Sequence, residues 1–359
     1  MNKVNIYIFK LTNKYILLNI FFISILILFI NTLEITRIID QKNANIYDFI
    51  YLLFLKIPSI MSETMPFVIV ISIAFLLRNL INNNELIAIR NLGLSIIDVF
   101  KPIGISIFLF GLINLIFINP IAANFEKEFD RQTSKNFSDI YSIKIIDKEL
   151  WIKNITDNNS KNIMNISKIN LDNMYAEKIK IFQNNNYKNK IIMADKGIIE
   201  NKIFLLNNVK IFNLENDNII KKEVFNISLN FDKNSIIDSI SNYKFIPFYK
   251  YYHHVNNLKK FNLNSPEVSL YYISEILKPF FLVMIGFVVM SFSGKFKRNE
   301  SFFKVLFISI LIGFLIFLHK EIVITLTTSI NISFILSYLI IFIFPFFIGL
   351  YKMINIETD

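Results

Sequence analysis

The chain has 359 residues, 53% of them apolar, a mean hydropathy of +0.47 and a formal charge of +10 at neutral pH. The apolar residues fall in long blocks, which excludes an ordinary water-soluble domain and defines an integral membrane protein. Cysteine is absent, so disulfide frameworks and thiolate metal sites are excluded. The positive charge is best explained by membrane anchors and a general lysine bias, because a nucleic-acid partner calls for cations and aromatics gathered on one soluble face.

Crossing the hydrocarbon takes about 20 mostly apolar residues, and the chain offers blocks of that length at 15–36, 60–81, 97–120, 271–293, 302–320 and 332–351. The first block lacks a small-residue cleavage pattern and reads as a retained span rather than a signal peptide. Between the second and third blocks lies Asn84–Ser95, NELIAIRNLGLS, a polar and apolar mixture that looks like a handle for a soluble partner. Lys3, Lys10, Lys14, Arg78, Arg90, Lys295, Lys297, Arg298, Lys304 and Lys352 all fall on one side of a six-span arrangement. Short loops rich in lysine and arginine stay in the cytoplasm, so both termini and the handle are expected there.

Residues 121–270 contain no spanning run and are expected to form a domain on the outer side. Short apolar or alternating stretches at Glu149–Ile155, Lys178–Phe182, Lys202–Leu206, Val209–Phe212 and Val224–Leu229 predict strands, separated by Asn-rich turns such as Asn184–Asn186. Such strands fit an antiparallel sandwich or open roll whose edges can pair with another chain.

Catalytic signals are nearly absent. The only Gly-Lys pair, Gly294-Lys295, has Val289 where a phosphate-binding loop needs its first glycine. His253, His254 and His319 lack metal-ligand spacing. Ionisable residues near the membrane boundary stand out instead: Glu34, Arg37, Asp40, Glu63, Glu275 and Lys278. Charge at that depth is costly and marks candidate functional positions. An arginine there can hold a phosphate through two parallel charge-assisted hydrogen bonds.

Two sets of residues stand out: Pro58 and Pro66 at the entry of the second span, and Glu85, Leu86, Ala88, Arg90, Gly93 and Ser95 in the handle, which follows a Glu-Leu-x-x-x-(Arg or Gln)-x-x-Gly pattern. With the order of spans and β domain, the whole chain resembles the YjgP/YjgQ permeases, the LptF and LptG subunits of the lipopolysaccharide exporter. Arg37-Ile-Ile-Asp-Gln41 and Leu150-Trp-Ile-Lys153 are more similar to the LptG branch. The resemblance implies a polytopic α-helical membrane protein: spans one to three over 1–120 with a coupling segment at 82–96, a periplasmic β-jellyroll-like open roll over 121–270, and spans four to six over 271–359. It implies a non-enzymatic permease subunit in the inner membrane that binds no cofactor, ATP and magnesium being held by a separate LptB-like ATPase dimer. An LptF-like subunit would form the other half, and an LptC-like roll would receive the lipid. Lipopolysaccharide would enter from the outer leaflet beside Arg37, the position matching the family's basic lipid-contacting residue. Glu275 stands where the family commonly has a basic residue ahead of Pro279, which departs from the pattern. Two other readings fit less well: a permease subunit of a different ABC system, usually with four spans, and a sensor or scaffold, which would need a larger cytoplasmic output segment.

Overall fold

The computed structural model describes residues 3–39, 46–136, 150–155, 161–170, 174–185, 188–200, 202–213, 218–229, 242–260, 266–294, 300–330 and 332–358. In chain order these form α1 (Lys3–Ile39), α2 (Ile46–Asn82), α3 (Glu85–Asn91), α4 (Ile96–Ile113), a π turn (Asn114–Ile118) and α5 (Asn119–Asn136). Strands β1 (Leu150–Ile155), β2 (Lys161–Asn170), β3 (Tyr175–Asn185), β4 (Lys188–Glu200), β5 (Ile203–Asn213) and β6 (Ile219–Ser228) follow. The chain ends in α6 (Tyr251–Lys260), α7 (Pro266–Ser293), α8 (Phe302–Ile330) and α9 (Phe334–Thr358). Two compact units result, Met1–Phe129 with Pro266–Asp359, and Asp130–Ser265.

Among the described residues, six helical stretches are long and apolar enough to cross a membrane. They are helical because hydrocarbon offers no partner to a bare peptide group, and a helix satisfies its own. The helices outrun the apolar blocks, α2 alone having 37 residues against a block of 60–81. The third stretch does not stop with its apolar run but continues to Asn136. Pro120 cannot donate to the carbonyl of Ile116, and the wider π turn just ahead of it accommodates the ring.

Helices α2 and α7 are central: 61% and 67% of their most apolar windows are buried, against 22–33% in the other four stretches. Val68, Ile69, Ile73 and Leu77 of α2 form one core with Leu282, Ile285 and Val289 of α7 and Ile103 and Ile107 of α4. Outward faces keep large apolar side chains such as Phe21, Phe22 and Phe29 exposed. In a membrane that face meets lipid or another chain, and its exposure costs little. Close helix approach depends on glycine: a Cβ on Gly111 of α4 would stand 2.7 Å from the Cα of Pro279 in α7.

The β unit is one antiparallel sheet in which neighbours follow sequence order from β1 to β6. Its ladders share a transverse interruption. Pairing runs through Glu177–Lys196 and resumes at Ile179–Ala194, and likewise from Lys196–Asn207 to Ala194–Val209. At this line Lys178 and Asn208 take φ of 53° and 55°, a left-handed conformation uncommon for non-glycine residues. The facing of side chains shifts by one there: Met174 and Ala176, then Ile179 and Ile181, are all buried, as are Phe204 and Leu206, then Val209 and Ile211. One apolar face is thereby kept across the bend. The expected strands 202–206 and 209–212 are for this reason a single strand, β5. β2 and β4 were not expected, because buried Asn162 and Asn165 in β2 and Gly197 in β4 obscure the alternation.

Gly111→Ala should destabilise the protein by about 1–3 kcal/mol, the usual effect of overpacking, read as a lower melting temperature in detergent. Gly104→Ala, whose Cβ would meet only the Phe100 side chain at 3.1 Å, should cost clearly less.

Candidate functional site

The handle is a short helix between two turns. Asn84, with φ of 56°, turns the chain out of α2. Helix α3 then runs from Glu85 to Asn91, and Gly93 with φ of +80° ends it while its N–H donates to the Arg90 carbonyl at 2.9 Å. Nothing lies within 4 Å of a Cβ placed on Gly93, so backbone conformation alone favours glycine here. Ser95 opens α4 with a capping box: its Oγ accepts from the Asp98 N–H at 3.1 Å, and Asp98 Oδ2 accepts from the Ser95 N–H at 3.1 Å.

The two faces of α3 differ. Leu86 and Ile89 are buried in the main core. Ile87, at 58% exposure, and Leu92, at 70%, stand outward together with Ala88, Arg90 and Gly93. Both charged residues are tied back to the bundle. Glu85 Oε2 accepts from the Tyr7 hydroxyl of α1 at 2.9 Å, and its Oε1 accepts from Asn83 Nδ2 at 3.4 Å. Arg90 Nη2 donates to the Ile356 carbonyl of α9 at 3.3 Å. The six handle residues therefore come together with distinct parts: Leu86 anchors, Glu85 and Arg90 link to the first and last spans, Gly93 and Ser95 shape the turn, and Ala88 faces out. The side chain of Arg37, at the end of α1, and residues 40–45 lie outside the described residues.

A second polar cluster joins α2, the π turn, α5 and α7. Lys278 Nζ donates to Glu275 Oε1 at 2.7 Å and to Ser62 Oγ at 3.0 Å. Ser62 Oγ in turn donates to Asn114 Oδ1 at 2.9 Å, and Asn119 Nδ2 donates to Glu275 Oε2 at 3.3 Å. The Lys278 and Glu275 side chains are only 11% and 12% exposed, and Asn114 is fully buried. Here Glu275, the departure from the family pattern, serves as the counter-ion of Lys278. Nearby, Lys56 of α2 pairs with Glu126 of α5 at 2.9 Å. Sequence reading singled out Glu63, but Glu63 faces outward and Ser62 faces in. Asn114 was missed; its signal was an amide inside an otherwise apolar run. His319 packs on Phe344, with ring centroids 5.2 Å apart, in the apolar groove between α8 and α9.

The fold and these sites define a multi-pass membrane protein with an inserted antiparallel β unit and an outward-presented helix between its second and third spans. The family model described as lipopolysaccharide export system permease LptF/LptG matches residues 6–355, and the chain belongs to that family. No individual curated protein matches it. Membership supports a role in lipopolysaccharide export as a multi-pass transport component of the inner membrane, not an enzyme.

Lys278→Met or Glu275→Gln alone should destabilise the bundle by about 3–5 kcal/mol, because either leaves a partner charge buried and unpaired. The double variant should lose much less than the sum, as a thermal double-mutant cycle in detergent will show.

Proposed function

We propose that this chain is the LptG-type half of a heterodimeric permease whose other half is an LptF-like subunit, powered by an LptB-like ATPase dimer in the cytoplasm. The reading rests on the family match over 6–355 and on the outward face of α3, an apolar and basic helix face set between two spans at a turn. The LptG assignment rests on Arg37–Gln41 and Leu150–Lys153. In this reading both termini and α3 are cytoplasmic, and the β unit is a periplasmic jellyroll-like roll.

Closure of the ATPase on its nucleotide would push on Ile87, Ala88, Arg90 and Leu92. Leu86 and Ile89 carry that displacement into the core, Glu85 carries it to α1 through Tyr7, and Arg90 carries it to α9. Lipopolysaccharide enters from the outer leaflet, its acyl chains against apolar spans and its phosphates near Arg37. It then passes through the roll to an LptC-like partner joined by edge pairing.

The test is co-purification of the chain with its ATPase and second permease subunit. Ile87→Asp with Leu92→Asp should lose the ATPase by tenfold or more while the permease pair and its melting temperature are kept, since both side chains are exposed. Retention of the ATPase at wild-type level sinks the coupling assignment.

A further inference from the structure

Helix α6 divides sharply into two faces. Tyr251, His254, Asn257 and Leu258 are 1–4% exposed, a repeat of three and four residues that buries one side. On the other side Tyr252 is 82% exposed, and His253 and Lys259 are exposed with it. The 3₁₀ turn Phe248–Lys250 just ahead adds Tyr249, at 62% exposure, and exposed Lys250. Two tyrosine rings and two lysines thus stand outward within residues 249–259, and their own unit covers none of them.

The chain itself limits where this face can be. From Lys260, six peptide steps lead to Pro266, the first residue of α7, a reach of at most about 20 Å. Helix α7 has 28 residues and is therefore about 42 Å long, against a hydrocarbon core of about 30 Å. Its first turn, residues 266–270, precedes the apolar block and accordingly reaches the headgroup layer, and α6 is held within a short tether of that layer. Tyrosine is favoured at this depth because its ring is apolar while its hydroxyl is wet. Lysine ammonium groups there meet lipid phosphates.

We propose that the exposed face of residues 249–259 is an interfacial anchor that lies on the bilayer, with Tyr249 and Tyr252 among the phospholipid headgroups and Lys250 and Lys259 on their phosphates. The anchor fixes the depth at which the chain re-enters the membrane after the β unit. Its occupant is the phospholipid surface rather than a protein, because the face is short, carries two cations and is tethered to the span entry.

The chain has no cysteine, so Tyr252→Cys introduces a single site for a nitroxide label. The full chain carrying it is placed in nanodiscs of phosphatidylethanolamine and phosphatidylglycerol, with Lys196→Cys on exposed β4 as the control. Collision with oxygen relative to a water-soluble nickel chelate should be several-fold higher at position 252 than at 196. Equal ratios at the two positions would overturn the anchor by placing 252 in water. Low access to both colliders at 252 would overturn it in favour of a protein contact.

Discussion

A hydrocarbon interior provides no hydrogen-bond partner, and the helical unit is organised around that constraint. Every backbone group in the spans must be satisfied within its own helix, and side-chain hydroxyls are satisfied locally as well: Thr12 Oγ1 donates to the Ile8 carbonyl at 2.7 Å, and Ser309 Oγ to the Val305 carbonyl at 2.8 Å. Prolines at 58, 66, 102, 279 and 345 sit inside helices nonetheless. Such breaks are tolerated where neighbouring helices pack against them, as Gly111 does against Pro279. Because hydrophobicity does not distinguish a lipid tail from a leucine, helix association depends on close fit. At Gly286 of α7 a Cβ would stand 2.6 Å from the Ile107 side chain of α4 and 3.0 Å from that of Ile73 in α2, so the close fit of these three helices depends on a bare glycine.

The same constraint gives the buried polar cluster its meaning. A lysine, a carboxylate, a serine and two asparagines at the junction of four elements are stable only because each meets another. Asn114 lies in the π turn, where the helix is locally wider and its side chain can face the serine of α2. Helix α3 works by a related economy. Its apolar residues join the bundle core and its two charges hold neighbouring spans, so a short helix with little stability of its own is held rigid by tertiary contacts.

Legibility in the sequence varied with the kind of force involved. The six spans were readable because apolar length is a one-dimensional property, and the handle because Glu85, Arg90 and Gly93 have a fixed spacing. The strands were only partly readable. A sheet that changes facing at Lys178 and Asn208 breaks the period-two alternation, so β5 looked like two strands, and β2 and β4 did not stand out.

The sequence by itself determined that the chain carries six stretches long and apolar enough to cross a membrane, that a β-rich segment interrupts them, and that a short segment of mixed polarity lies between the second and third, since these follow from local length, period and motif. Only the tertiary structure decided that Leu86 anchors while Ile87 and Leu92 face outward, that Glu85 and Arg90 reach back to α1 and α9, and that Glu275 pairs with Lys278 beside Ser62 and Asn114. Those outcomes depend on which faces of separate helices meet, through contacts between residues as many as 266 positions apart. No local pattern encodes them.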